Sequence, residues 1–467
     1  MKNPDVVVAG SGAGGAAVAG RLAAGGARVL LLEKGRRAKA PADAMDAVAR
    51  YYAEAGCTAA LGSALLPIPT GITVGGTTTI NSGTCLKTPP ELLRRWQRKS
   101  AGRFAAADFS QRLDEAWSAL KVRRAPESTL SRSSRLVLEG LARLGIAGGP
   151  LDRCEDACTG LGRCCFVCPS GGKMTSDRAF LQDDGPELRT GCELVSIRPP
   201  RAAGEPVRLT VRGGGTIECG TLVLATGALA TPYYLRACGV KAGDGLSLHP
   251  AAKLFARFAA PVRGWEGVPQ GVGFLDPEDD AVRCEGVYTP PEMAALTMPL
   301  EGRALRRWME SYERVATFGY MIRDDSRGSV RYPLGPARPL IRYEMSGADL
   351  ARMGRGMRRV AQVFFAAGAE RVVLPVNRPD CELGSERELA EFDFASLRPG
   401  QLQMMAFHPL GTCAMGEVVD EDLRAAPGVY VCDGSVVPES LGVNPQITIY
   451  SFALRLAAHL LGRRAAA

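Results

Sequence analysis

Val6-Val7-Val8-Ala9-Gly10-Ser11-Gly12-Ala13-Gly14-Gly15 stands near the start of the sequence, and Arg28-Val29-Leu30-Leu31-Leu32-Glu33 follows it. The first four residues read as a buried strand, 16 to 24 as a helix of small residues, and the second stretch as another strand. Continuous apolar character in both strands fits a parallel sheet covered on both faces. Gly10, Gly12 and Gly15 fill the glycine positions of G-x-G-x-x-G. The first allows a tight turn, the second admits a pyrophosphate to the backbone, and the third lets helix and strand pack closely. The helix start offers free N–H groups and positive dipole to phosphate. Glu33, ending the second strand, suits the two ribose hydroxyls and disfavours a 2′-phosphate.

Working outward, 467 residues are long for one domain, so two are expected. Hydrophobic residues at 46% and charged residues at 23% describe an ordinary globular chain. The net charge of +8 is spread over scattered arginines, which gives no basic stripe for nucleic acid. No apolar run is long enough to span a membrane, and no basic flank with a cleavage site precedes the first strand. The cytoplasm is therefore the expected compartment.

The predicted fold class is α/β. A Rossmann-like dinucleotide domain is drawn from 1–98, 186–245 and 401–467, and an α+β substrate domain with an antiparallel sheet from 246–400. Residues 99–185 form a helical and Cys-rich insertion, with helical character over 108–146. Strands are expected at 193–198, 207–212, 221–225, 252–258, 315–322 and 339–343, and a helix at 348–367. The strand at 221–225 runs into Thr226-Gly227, where the sheet can meet the dinucleotide again.

Several blocks together resemble the glucose–methanol–choline (GMC) oxidoreductases, FAD enzymes that mostly oxidise alcohols. They are Val6 to Gly35, Val74 to Thr88, Leu222 to Gly239, Ser326 to Val330, His408 to Gly416 and Val431 to Ala453. Gly227-Ala-Leu-Ala-Thr-Pro232 is similar to the family's second signature, and Gly75 through Asn81 to its loop along the flavin. The resemblance implies FAD as cofactor, with Val195 near the adenine and Gly76, Thr77 and Asn81 along the pyrophosphate or isoalloxazine. It places Asp433 and Gly434 at the ribityl–phosphate region, and Pro445 and Gln446 at the ring. The implied reaction takes a CH–OH group of a small-molecule alcohol to a carbonyl, with hydride transfer to flavin N5. A dehydrogenase is slightly favoured over an oxidase; O2, a quinone and a redox protein all stay open as electron acceptor. Met404, Met405 and Phe407 slightly favour an apolar alcohol over a sugar.

Such a reaction needs a proton acceptor beside the ring, and neutral imidazole suits it. The chain has three histidines. His408, in His408-Pro-Leu-Gly-Thr-Cys413, is the candidate base. His249, in a Leu-His-Pro turn, reads as structural, and His459, in an apolar helix, as a packing or surface residue. Asn444 stands where family members carry a second His or Asn; an amide cannot act as the base but can orient the substrate oxygen.

Cys158, Cys164 and Cys168-Pro169 follow the ferredoxin spacing C-x2-C-x2-C-x3-C-P, with Leu161 in place of one Cys and with Cys154 and Cys165 close by. Three outcomes stay open: an iron–sulfur cluster, zinc, or thiols that only pack. Two other functions stay open as well. One is a flavin lyase or photodecarboxylase on the same scaffold. The other is an FAD/iron–sulfur electron-transfer subunit, which would need no base at His408.

Overall fold

The structure, a computed structural model, describes residues 3–202, 204–287 and 289–465. β1 (Val6–Ala9), helix α1 (Ala13–Ala24) and β2 (Val29–Glu33) form the expected βαβ unit. Every residue of both strands is buried, as a sheet covered on two faces requires. β3 (Glu187–Thr190) pairs parallel with β2, and β4 (Thr221–Leu224) pairs parallel with β1. The C-terminal strand Val429–Val431 then adds in parallel to β4. The last part of the chain thus returns beside the first. A three-stranded antiparallel sheet carries Leu194–Arg198 at one edge.

The second sheet is antiparallel. β5 (Pro250–Arg257), β6 (Val272–Asp276), β7 (Asp279–Gly286) and β8 (Val315–Ile322) lie in the order β5-β8-β7-β6. All eight residues of β8 are buried, and α2 (Gly347–Ala366) packs across this sheet through Met353, Met357, Val360 and Phe364. Ser346 caps α2 by accepting the Asp349 amide at 3.1 Å. The short strand Met405–Ala406 pairs with Pro250 and Ala251 at the start of β5. This pairing carries the residues just before His408 to the residues just after His249.

The helical stretch expected over 108–146 is two helices, Ala106–Ala119 and Arg132–Leu144. Lys121 takes the left-handed region at φ 51, and Pro126 follows, so one continuous helix cannot form. The first helix packs on the C-terminal helix Gln446–Ala465, with the Phe109 and Phe452 rings 4.7 Å apart. The second packs on α2 in the other core. Among the described residues no helix is long and apolar enough to cross a membrane.

Candidate active site

The glycine cluster is built by contact with two distant parts of the chain. A Cβ on Gly10 would lie 2.3 Å from the Ala225 carbonyl oxygen, and Gly10 has a φ of 101. A Cβ on Gly14 would lie 1.9 Å from the Cys432 oxygen, and one on Gly15 would lie 1.8 Å from the Gly10 oxygen. Gly14, outside the expected glycine set, is therefore what lets α1 sit against the C-terminal return. Gly12 and Gly227 differ: a Cβ on either meets nothing within 4 Å.

No side chain caps α1 at Gly12, so its first N–H groups are left for a ligand. These two open cradles and the uncapped helix start fit the pyrophosphate of FAD. Glu33 is buried at the end of β2, accepting from Ser11 N at 3.0 Å, Ser11 Oγ at 2.7 Å and Gly35 N at 2.7 Å. Oε2 takes both Ser11 donors, whereas Oε1 has one donor and can accept again, which leaves capacity for a ribose hydroxyl. Val195 lies on an exposed part of the small sheet, beyond Cys192, whose amide bonds the Glu33 carbonyl.

The loop with Gly76, Thr77 and Asn81 lies over this cradle: a Cβ on Gly76 would come within 2.9 Å of the Gly12 Cα. Asn81 Nδ2 donates to Gln446 Oε1 at 3.0 Å, and Gln446 Nε2 donates to the Thr84 carbonyl at 2.6 Å. Asp433 ties the turn after β4 to the C-terminal segment. It accepts from Gly227 N at 2.9 Å, Thr231 Oγ1 at 2.5 Å and Ser435 N at 2.8 Å. The structure thus gathers the glycine cluster, the Gly75–Asn81 loop, Gly227, Asp433, Gly434 and Gln446 around one place, with Pro445 buried beside Gln446.

His408 and His249 are joined: their Nδ1 atoms are 3.0 Å apart. His249 Nε2 accepts from the amides of Leu441 and Gly442, each at 3.0 Å. A nitrogen taking two N–H donors carries no hydrogen, so the proton of neutral His249 sits on Nδ1 and is donated to His408 Nδ1. Neutral His408 must then carry its own proton on Nε2. Burial, and then Arg283, Arg327 and Arg323, hold His249 down at about 3. Burial and His249 hold His408 well below the usual imidazole range. In this geometry a neutral pair carries an N–H at His408 Nε2, and His249, read from the sequence as structural, lies directly against the candidate base.

His249 adopts φ 50, a left-handed conformation costly for a non-glycine residue. Asp324 holds it there, accepting from Leu248 N at 3.0 Å and His249 N at 3.2 Å. The same carboxyl accepts from Ser440 Oγ at 2.6 Å and Tyr343 OH at 2.8 Å. His459 is remote from this constellation, 3.6 Å from Asp422 in the last helix.

Asn444 Nδ2 donates to Glu285 Oε2 at 3.2 Å. Both side chains are buried, and Asn444 Oδ1 and Glu285 Oε1 each lack a protein partner. On the same strand as Glu285, Arg283 Nε donates to the Gly442 carbonyl at 3.0 Å. The loop Leu441–Asn444 therefore contacts His249 with its amides and β7 with its other groups. Sequence reasoning missed Glu285. Its signal was an acid two residues after Arg283 near the end of β7.

The cysteines do not form the metal-ligand set that their spacing left open. Among the described residues no three His, Cys, Asp or Glu side chains converge to hold a metal. Buried Arg153 stands among them instead, with Nη2 3.3 Å from Cys164 Sγ. Lys173, also buried, donates to the carbonyls of Thr79, Asn81 and Cys164. Two cations fill the space where Cys154, Cys158, Cys164, Cys165 and Cys168 would have gathered, and the iron–sulfur reading finds no support in this arrangement.

The GMC oxidoreductase profiles match residues 48–251 and 324–453. An uncharacterized GMC-type oxidoreductase, Rv0492c of Mycobacterium tuberculosis, is 35% identical over 97% of this chain and 75% of its own length. The long-chain-alcohol oxidase FAO3 of Arabidopsis thaliana is 27% identical over 96% of this chain and 66% of its own. Among solved structures, pyridoxine 4-oxidase from Mesorbium loti superposes with a TM-score of 0.71 at 19% identity, covering 98% of this chain and 99% of that one. The profile matches and the 35% identity over nearly the whole chain show that the chain belongs to the GMC oxidoreductase family.

Proposed function

We propose that this FAD oxidoreductase oxidises the CH–OH group of an apolar alcohol, with His408 and Asn444 at the reacting oxygen. The observation that carries the reading is the His249–His408 pair. The second sheet and the C-terminal return bring it together beside the loop that continues through Asn444, Pro445 and Gln446. Gly10, Gly12, Gly15, Glu33, Gly76, Thr77, Asn81, Val195, Gly227, Asp433, Gly434, Pro445 and Gln446 would hold the FAD. The flavin, when bound, supplies a hydride acceptor. His408 contributes a fixed N–H to the substrate oxygen, and Asn444 an unpartnered amide oxygen.

Phe407, next to His408, is 43% exposed. The hairpin bearing exposed Leu61 and Leu65 packs beside Met405–Ala406, so the approach is apolar. The relatives named long-chain-alcohol oxidases support the same substrate class. The relatives named oxidases favour O2 as acceptor over the dehydrogenase expected from the sequence. The test is anaerobic titration of the holoenzyme with a panel of alcohols while flavin absorbance is followed, then admission of air. Bleaching by apolar alcohols and rapid recovery in air are expected. A flavin that stays oxidised with every alcohol sinks the reading.

A further inference from the structure

We propose that Lys253 anchors a carboxylate at the far end of the alcohol, so that the substrate is a hydroxy acid in which an apolar spacer joins the CH–OH group to the anion. The inference rests on the alcohol-oxidation reading and names the substrate class of that site.

The antiparallel sheet places Lys253 on the side of the reacting centre. Side chains alternate between the faces of a strand, and residues paired across a ladder share a face. Ala252 of β5 pairs with Tyr320 of β8, and the Tyr320 ring lies against Gly356 of α2. Lys253 therefore faces away from α2. It pairs with Gly319, and Gly319 pairs on its other side with Glu285. Glu285 meets the Asn444 amide on that same face. Two strand spacings, about 10 Å, separate Lys253 from Glu285. Gly319 between them carries no side chain to close the trough, and neither charged group acts on the other.

The Lys253 Nζ leans along β5, 5.5 Å from the Phe255 ring centre, and lies beside Cys165. The Cys165 segment is fixed to the loop that resembles the family's flavin loop, because Lys173 donates to the carbonyls of Thr79, Asn81 and Cys164. Ile80, Phe166 and Val167 are buried there, with Met293 packed on them. The amine thus ends a trough whose far wall is apolar, which suits the spacer.

Lys253 is the cation here with its donors unused. Arg283 donates to the Gly442 carbonyl, Arg323 is paired with Asp280, and Arg327 donates to the carbonyls of Asp324 and Ser326. Arg153 is engaged by the Gln270 carbonyl and Cys164. Among the described residues Lys253 has no carboxylate partner and no hydrogen bond to protein, only the Phe255 face. The residue is half-buried, and burial lowers its amine to about 8. Burial pushes the neighbouring Cys165 thiol up to about 11, so at neutral pH that thiol supplies no counter-charge. A sheltered ammonium without a counter-ion is costly, and a carboxylate arriving with the substrate relieves that cost. The remote ion pair then holds the CH–OH end in register with His408 and Asn444.

Two measurements test this. The first is anaerobic flavin reduction by ω-hydroxyhexanoate, ω-hydroxyoctanoate and ω-hydroxydecanoate, each beside its methyl ester, in wild type, Lys253→Met and Lys253→Arg. At the best-fitting length wild type should prefer acid over ester about 10–10²-fold in reduction rate divided by Kd, the usual worth of one charge-assisted hydrogen bond. Lys253→Met should lose that preference and Lys253→Arg should keep it. Each preference is a ratio taken within one protein, so a loss of folded material leaves it unchanged. No preference in wild type, or an undiminished one in Lys253→Met, overturns the proposal. The second needs no turnover: calorimetric binding of octanoate to the holoenzyme should weaken about 10–10²-fold in Lys253→Met, and equal binding overturns the proposal. Octanoate held through Lys253 in an enzyme whose flavin no alcohol bleaches would sink the oxidation reading and leave the anion site standing.

Discussion

Valine at Gly12 and alanine at Gly15 should separate cofactor binding from folding. The Gly12 Cβ position meets nothing within 4 Å, and its φ of −66 suits any residue. Its cost to the flavin-free protein is the lost preference for glycine at a helix N-cap, about 1 kcal/mol. The side chain instead fills the space where pyrophosphate would meet the backbone, so FAD should be lost. At Gly15 the added Cβ would stand 1.8 Å from the Gly10 carbonyl oxygen. The turn or α1 would have to move by more than about 1 Å, and α1 is held from the other side by Gly14 against Cys432. Overpacking commonly costs about 1–3 kcal/mol, and a backbone clash that cannot relax costs more. The assay is flavin content of each purified variant, with urea unfolding of the flavin-stripped proteins. Gly12→Val should bind no flavin yet unfold near wild type, and Gly15→Ala should be strongly destabilised. Normal flavin content in Gly12→Val, or equal unfolding midpoints for the two variants, would refute the reasoning.

Two further outcomes follow from the structure. Asp349 is fully buried and accepts from Asp325 N, Ser326 N and Ser326 Oγ, with Arg352 at 2.9 Å. Burial works to raise its pKa, but Ser326 and the amides hold it below the ordinary value. A depressed carboxyl stabilises the fold above its unfolded pKa, and that stability is lost as pH falls through its folded pKa. Asp349→Ala, which strands these donors, should cost about 3 kcal/mol or more at neutral pH and flatten the acid side of the stability profile; an unchanged urea midpoint at pH 7 would count against this. For the cysteines, Cys158→Ser and Cys168→Ser should keep flavin and turnover, and wild type should carry no stoichiometric iron. Iron and acid-labile sulfide that fall in both variants would reinstate the cluster.

The βαβ unit was legible because its signals are local: strand burial, glycine spacing and the terminal acid lie within one short stretch. β8 was legible in the same way, since the apolar and aromatic residues of 315–322, interrupted only by Thr317 and Gly319, read as a strand. The cysteine segment stayed ambiguous because spacing counts residues, not the direction of each sulfur. Nothing in C-x2-C revealed that Arg153 and Lys173 would turn inward. His249 was read as a turn residue because its partners, Leu441, Gly442 and His408, lie far along the chain. The tautomer of His408 follows from those partners and from nothing in its own motif. Gly14 likewise owes its necessity to Cys432, which the sequence places at the opposite end.

The central claim is that His408 stands at the oxygen of an alcohol being oxidised by FAD. The most direct test is anaerobic single-turnover flavin reduction of His408→Ala beside wild type, using an alcohol that bleaches the wild-type flavin. The variant should retain FAD and fold normally, and its reduction rate should fall about 10²–10³-fold, the usual worth of one fixed donor at a reacting oxygen. Reduction of His408→Ala at the wild-type rate would contradict the account.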